Sequence, residues 1–177
     1  MARIEDLPHQ DTHATGNSYL GLVDEPRVKQ AAMEAVENYG TGSGGSRLTT
    51  GNLLLHEELE QALAHAKGTE AALLFNTGYM ANVGILSALG NQDTVIFSDE
   101  LNHASIIDGC RLSRARTVVY RHNDMQDLEQ KIQSAAPAQG LIVSDAVFSM
   151  DGDIANLPGI VALGQRYGLL TMLDEAH

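Results

Sequence analysis

The sequence is poor in the features that mark secreted, membrane and nucleic-acid-binding proteins. Its single cysteine, Cys110, excludes an internal disulfide and fits a reducing cytoplasm. No apolar run approaches the roughly 18 to 20 residues that a membrane helix needs, and the opening segment MARIEDLPHQ resembles no targeting leader. Basic residues are few, since 11 Lys and Arg face 23 Asp and Glu for a formal net charge of -12. This balance disfavours a nucleic-acid surface and favours small metabolites as partners.

What the chain does have is enough apolar residues, 44%, to bury a substantial core. From residue 53 onward, helical patterns alternate with short runs of Val, Ile and Leu, which is typical of βα units. A helix is predicted after Pro26, and five strands and five further helices follow. The strands are 72–75, 94–97, 117–120, 141–144 and 169–173, and the helices are 56–68, 78–89, 104–112, 124–135 and 158–167. The pattern predicts a three-layer αβα fold of the α/β class with a mainly parallel sheet, whose ligands bind beyond the carboxyl ends of the strands.

Residues suited to chemistry collect where the predicted strands end. Strand 72–75 leads to Gly78 and Tyr79 at a helix start, where free N–H groups and the helix dipole favour a phosphate, although an ordinary cap explains them as well. His103 follows the next strand, and a lone histidine is more often structural. The last strand ends at Asp174, which serves either as a helix cap or as a charge beneath a bound ring. The strand ends therefore predict a ligand site and leave its chemistry open.

Two short motifs invite functions that the rest of the sequence opposes. DEAH at 174–177 suggests a helicase, which also needs G-x-x-x-x-G-K-[ST] after a strand. The Gly-rich segment 40–51 contains no lysine and follows a predicted helix. HEELE at 56–60 is not H-E-x-x-H, because its last residue is Glu60. No Cys or His spacing suggests zinc, so no metal site is predicted.

Seven segments, taken together, resemble the α-oxoamine synthases, a family of fold-type-I enzymes that depend on pyridoxal 5'-phosphate (PLP). The segments are NSYLGL, GTGSGGSRLTTGN, FNTGYMAN, SDELNHASIIDG, RHNDM, VFSMDGD and LDEAH, in the family's order and approximate spacing. The resemblance implies that residues 46–177 are the N-terminal portion of the large PLP-binding domain. Residues 1–45 would be an N-terminal arm and helix.

The resemblance also implies a role for each residue at the strand ends. Gly78 and Tyr79 match the pair that contacts the cofactor at the helix start. His103 matches a catalytic histidine that stacks on the pyridine ring and contacts substrate, and Asp174 matches the catalytic aspartate paired with the ring nitrogen. That pairing keeps the ring protonated, and a protonated ring is the electron sink for a Cα carbanion.

Further positions match the family's motifs outside this group. Ser149 and His177 match residues near the ring's phenolic oxygen and are implied to bind cofactor. Asn17 resembles the asparagine near the amino-acid carboxylate, and Ser46 lies in a substrate-site loop that approaches the partner subunit. A homodimer is therefore expected. Asp145 stands where the family often has glutamate, and it receives no role.

The implied activity is the decarboxylative condensation of an amino acid with an acyl thioester, carried by coenzyme A or by an acyl carrier protein. The loop version at 42–52 favours a member that joins L-alanine to a pimeloyl thioester for biotin synthesis, and a glycine C-acetyltransferase is the alternative. The family's Schiff-base lysine is expected roughly 30 residues beyond Asp174, so the chain as given should be inactive. A non-catalytic module that keeps only a phosphate pocket is the competing hypothesis.

Overall fold

The computed structural model describes residues 18–177, which fall into two units. The first unit ends at Leu74, and the second runs from Phe75 to His177. The predicted division of the chain into 1–45 and 46–177 stays a prediction. Asn17, an expected substrate contact, lies outside the described residues.

The first unit contains two helices whose ends follow from local sequence. Helix α1 spans Pro26–Tyr39, and the Glu25 side chain accepts a hydrogen bond from the Arg27 N–H at its start. Proline suits this first position because its missing N–H would be unsatisfied there anyway. Helix α2 spans Leu54–Lys67 and ends at Gly68 with a φ of 66°, the left-handed cap conformation that glycine adopts readily. The predicted helix after Pro26 and the Gly68 cap are confirmed.

The second unit is a four-stranded sheet with helices between its strands. Every strand pair is parallel, in the order β2-β1-β3-β4. The strands are β1 Thr94–Asp99, β2 Arg116–Tyr120, β3 Gln139–Asp145 and β4 Leu170–Asp174. The helices are α3 Gly78–Leu89, α4 Ala104–Leu112, α5 Met125–Ala135 and α6 Leu157–Tyr167. Among the described residues, no helix is both long and apolar enough to cross a membrane.

Both faces of the sheet are covered, which confirms the three-layer architecture. Consecutive residues of a strand point to opposite faces, and Ile96 and Phe97 of β1 are both fully buried. Ile96 belongs to a cluster with Leu86 of α3 and Ile106 of α4. Phe97 belongs to another cluster, which α5 and α6 supply with Leu128, Ile132, Ile160 and Leu163. The helices thus sandwich the strands and hold their carboxyl ends in place.

The predicted strand 72–75 is wrong, because this segment is irregular and pairs with no described strand. Its apolar run matches a buried strand in composition, yet the Leu73 side chain is 66% exposed. The Leu74 N–H donates to Glu60 Oε1 at 2.7 Å instead of joining a sheet ladder. An apolar run becomes a strand only where a neighbouring strand satisfies its backbone groups.

Candidate functional site

Three strands deliver an aspartate to the same edge of the sheet. Asp99, Asp145 and Asp174 are the last residues of β1, β3 and β4. Because these strands are parallel, their carboxyl ends meet at one edge, and Asp145 and Asp174 are direct register partners. This is the edge at which ligands of open parallel sheets bind.

A continuous hydrogen-bonded chain joins His103 to Asp174. Asp174 Oδ2 accepts from Asn82 Nδ2 at 2.7 Å, and the same nitrogen donates to Ser105 Oγ at 2.8 Å. Ser105 Oγ lies 2.7 Å from His103 Nδ1. We call these four residues the His103–Asp174 relay. Asn82 and Ser105 are both buried, so solvent competes little for these bonds.

Asp145 holds the backbone at the start of the relay. Its Oδ2 accepts from the His103 N–H at 2.8 Å, while its own N–H donates to Asn102 Oδ1 at 2.9 Å. Burial raises the pKa of the Asp145 carboxyl, the His103 N–H opposes that rise, and the charge of Asp174 adds to it. Asp145 therefore orients His103, a role that the sequence did not suggest.

The start of α3 offers unpaired backbone donors. Thr77 Oγ1 caps the helix by accepting from the Met80 N–H at 3.1 Å. Within residues 18–177 no acceptor faces the N–H groups of Gly78 and Tyr79, and a Cβ added at Gly78 would meet nothing within 4 Å. The Tyr79 hydroxyl donates to Asp108 Oδ2 at 2.6 Å, a bond that raises the tyrosine pKa. The helix start is thus fixed, open and suited to an anion.

Ser149 lies in a tight exposed turn just after β3. The Gly152 N–H donates to the Phe148 carbonyl at 2.7 Å, and the Phe148 N–H donates to the Asp153 carbonyl at 3.0 Å. Gly152 has a φ of 76°, which glycine accommodates at little cost. The turn closes on itself and presents the Ser149 side chain outward.

His122 fastens this turn to the end of β1. Its Nδ1 lies 3.0 Å from Asp99 Oδ1, its Nε2 lies 2.7 Å from Asp153 Oδ2, and its ring packs edge-on against Phe148 at 4.4 Å. We call this arrangement the His122 clamp. Burial lowers the pKa of His122, but the hydrogen bonds and charges of Asp99 and Asp153 outweigh it and leave the pKa raised.

Ser46 belongs to the first unit, in the Gly-rich segment between α1 and α2. Its carbonyl accepts from the N–H groups of Thr49 and Gly51 at 3.0 and 2.9 Å. A side chain at Gly51 would overlap the carbonyl of Gly45, so the turn requires glycine there. These contacts fix the Ser46 backbone, and the predicted role of Ser46 at a substrate site stays a prediction.

The structure gathers part of the predicted site and adds to it. His103 and Asp174 meet through the relay, and Gly78 starts the helix that carries Asn82. His177 lies just past β4 at the same edge as these residues. Within residues 18–177, no group of three His, Cys, Asp or Glu residues is placed to hold a metal ion.

Sequence reasoning missed Asn82 and Ser105, although a signal for each existed. Asn82 follows Gly78 by four residues, so it lies one helical turn along the same face as the expected phosphate site. Ser105 follows His103 by two residues at the start of α4, where short polar side chains are favoured by local hydrogen bonding.

Comparison with known proteins places the chain in a family. Residues 15–177 match the aminotransferase class I and II family. The 8-amino-7-oxononanoate synthase of Geobacter sulfurreducens is 60% identical over 91% of this chain and 41% of its own length. A putative enzyme of the same name from Desulfovibrio desulfuricans is 58% identical over 92% of this chain and 42% of its own. The chain thus spans less than half the length of these curated relatives.

A solved structure supports the same assignment. A lysine-to-alanine variant of a serine palmitoyltransferase from S. paucimobilis, with a bound PLP–myriocin aldimine, superposes with a TM-score of 0.86 at 42% identity. The match covers 90% of this chain and 42% of that enzyme. The family and fold class inferred from the seven segments are confirmed, and the chain belongs to the aminotransferase class I and II family.

Proposed function

We propose that the whole protein carrying this chain is a PLP-dependent acyltransferase of the 8-amino-7-oxononanoate synthase type. The observation that carries the proposal is the His103–Asp174 relay at the carboxyl edge of the sheet, beside the open start of α3. The relatives' names and their identities of 58–60% supply the reaction type. The proposed substrates are L-alanine and a pimeloyl thioester of coenzyme A or of an acyl carrier protein.

The carboxylate of Asp174 fits a protonated ring nitrogen. Its Oδ2 accepts from Asn82, and its Oδ1 accepts from the Ala176 N–H at 2.9 Å. A carboxylate offers about four lone-pair sites, so Asp174 keeps capacity for another donor. Asp174 is only half-buried, which leaves it accessible to a ligand. Because the Asp174 carboxylate is oriented by two donors and remains accessible to a ligand, it suits a pyridinium N–H.

The phosphate of PLP fits the start of α3. The N–H groups of Gly78 and Tyr79 and the dipole of this 12-residue helix favour an anion at that point. Asn82 lies one turn further along α3 and contacts Asp174. One helix would thereby hold the phosphate at its first N–H groups and orient the Asp174 carboxylate through Asn82.

When bound, PLP supplies the electron sink that allows the Cα–H bond of the amino acid to break. The protein's own contribution is placement and charge. Asp174 would hold a proton on the ring nitrogen by its negative charge, and His103 follows β1 at the same sheet edge on a backbone fixed by Asp145. The reaction joins the alanine Cα to the acyl carbonyl carbon, releases the thiol, and releases the alanine carboxyl group as carbon dioxide.

Three further features of the whole protein belong to this proposal. We propose a homodimer in which Ser46 and Asn17 take part in substrate binding. We propose that Ser149 and His177 contact the ring's phenolic side, since both follow strands that end at the site edge. A cytoplasmic location fits the single cysteine.

The test is a purified whole protein assayed with paired substrates. Thiol release is measured with L-alanine and pimeloyl-coenzyme A, with glycine and acetyl-coenzyme A, and with L-serine and palmitoyl-coenzyme A. We expect PLP-dependent release that is largest for the first pair. Preference for the second pair would make the protein a glycine C-acetyltransferase. No PLP-dependent release with any pair would refute the proposed function.

A further inference from the structure

The Asp174 carboxylate determines the direction of each hydrogen bond along the relay to His103. An ionised carboxylate only accepts hydrogen bonds, so the Asn82 amide must present its NH₂ group to Asp174. The same nitrogen contacts Ser105 Oγ, so that oxygen accepts from Asn82. The hydroxyl hydrogen of Ser105 is then available for the remaining neighbour, His103 Nδ1.

A second donor favours the same direction for the bond to His103 Nδ1. A serine oxygen can accept twice, so the hydroxyl alone would also tolerate a hydrogen on Nδ1. The backbone N–H of Ser105, however, also donates to His103 Nδ1 at 3.2 Å. A hydrogen on Nδ1 would face that N–H directly. The Ser105 hydroxyl and the Ser105 N–H therefore both favour Nδ1 as an acceptor, and a neutral His103 then carries its hydrogen on Nε2.

We propose that Asn82 and Ser105 are positioning residues that lock neutral His103 in the Nε2–H tautomer. Among the described residues, the hydrogen bonds of the ring all fall on Nδ1, which leaves the Nε2–H directed away from the relay. His103 thus offers its ligand a hydrogen-bond donor, suited to a carboxylate or carbonyl oxygen. Its use toward a substrate rests on the proposed function, whereas the tautomer itself does not.

The relay also makes the tautomer of His103 depend on Asn82, which does not contact the imidazole ring. Replacing Asn82 with Asp keeps the shape of the side chain but puts an oxygen where the nitrogen was. The carboxyl introduced at position 82 takes the place of a nitrogen that lies 2.7 Å from Asp174 Oδ2. Two carboxyls this close share one proton, which lies between them. The new oxygen then accepts from the Ser105 hydroxyl, so the Ser105 oxygen becomes the acceptor for a hydrogen on His103 Nδ1. Of the two Ser105 donors, only the backbone N–H then still favours an acceptor at Nδ1, so Asn82→Asp should shift His103 toward the Nδ1–H form.

The experiment reads the tautomer directly in the 177-residue chain without ligand. Long-range proton–nitrogen NMR correlations of nitrogen-labelled histidine distinguish the two ring tautomers. His103→Gln identifies the His103 signals among the seven histidines. Spectra are recorded at about pH 8.5, two units above the ordinary titration of imidazole, so that the neutral ring is observed.

We expect the unaltered chain to show the Nε2–H form alone. Asn82→Asp should raise the ratio of the Nδ1–H form to the Nε2–H form by about tenfold or more. A tenfold change in this ratio has the same free energy as a shift of one pKa unit. Asn91→Asp is the matched control, because Asn91 is exposed and uses its oxygen to accept from the Asp93 N–H, which a carboxylate does equally well. It should leave the His103 signals unchanged.

Two further variants test the middle of the relay. Ser105→Ala should allow the Nδ1–H form to appear, and in its presence Asn82→Asp should lose its effect on the ring. Ser113→Ala, at the other end of α4, removes an equally buried hydroxyl that donates to the Cys110 carbonyl and should not change His103. An Nδ1–H ring in the unaltered chain, or a ring indifferent to Asn82→Asp, would overturn the proposal. If the tautomer is as expected but the whole protein shows no PLP-dependent release, the proposed function alone fails.

Discussion

The His122 clamp predicts that stability depends on one histidine charge. His122 lies between two carboxylates, and the Asp99 side chain is only 1% exposed. Because the folded pKa is raised, the stabilisation is fully present below the unfolded value of about 6.5. It is lost as the pH rises through the higher folded pKa. We therefore expect the free energy of unfolding to fall on the alkaline side of that window.

The size of the effect follows from the hydrogen bonds at Asp99. Its carboxylate accepts from Leu101 N–H at 2.9 Å and Asn123 N–H at 2.8 Å, with His122 Nδ1 as a third partner at 3.0 Å. One bond to a buried charge contributes about 1.5–3 kcal/mol. The contact with Asp153 adds at most about 1 kcal/mol, since that side chain is 41% exposed. His122→Gln should therefore cost about 2–3 kcal/mol at acidic pH.

The assay is urea unfolding followed by circular dichroism between about pH 5.5 and about pH 9, the range over which a raised histidine pKa acts. The difference between the unaltered chain and His122→Gln should be largest at the acidic end and shrink as the pH rises. His65→Gln, an exposed change in the last turn of α2, is the control and should stay within about 0.5 kcal/mol throughout. A difference that is constant with pH, or that grows toward alkaline pH, would refute the reasoning.

Three other predictions concern packing, capping and the lysines. Gly109→Ala should lower the free energy of unfolding by about 1–3 kcal/mol, because the new Cβ would lie 2.7 Å from Leu86 Cδ1. A smaller loss in a urea titration would count against this packing. Asp124→Ala should lower the free energy of unfolding by about 1 kcal/mol in the same titration, because Asp124 caps α5 by accepting from the Gln126 and Asp127 N–H groups. An unchanged free energy of unfolding would contradict the capping role. Borohydride reduction of the chain with PLP should label no lysine stoichiometrically, and peptide mass mapping that found one specific site with turnover would contradict this. The lysines are Lys29, Lys67 and Lys131.

The fold could be predicted from the sequence where the local pattern of a segment matches the contacts that the segment makes in the folded chain. The run 94–97 forms the first four residues of β1, all of them buried, and the Gly68 stop signal ended α2 as predicted. The segment 72–75 has the same apolar character but pairs with no strand among residues 18–177, and its local sequence gives no sign of this. Strand pairing is a property of distant segments, so composition alone cannot supply it.

The candidate site divides in the same way. His103 and Asp174 were identified because each follows a predicted strand and matches a family motif. Asn82 and Asp145 were missed because their roles depend on partners distant in sequence, such as Asp174, 92 positions after Asn82. Ser105 contacts the nearby His103, but its link to Asn82 spans 23 positions. A carboxylate at the end of β3 gives no local sign that it will accept from the His103 N–H.

The central claim is that the Asp174 charge supports the reaction on PLP, and one substitution in the whole protein tests it most directly. Asp174→Asn keeps the size of the side chain and removes its charge, so turnover of L-alanine with pimeloyl-coenzyme A should fall by about a hundredfold or more, two steps of 1.36 kcal/mol in the barrier. Asp93→Asn, an exposed control, should leave turnover unchanged. Absorbance of bound PLP should show that the Asp174→Asn protein still takes up cofactor. Turnover within about twofold of the unaltered enzyme would contradict the account, since so small a change in rate leaves the barrier almost as it was.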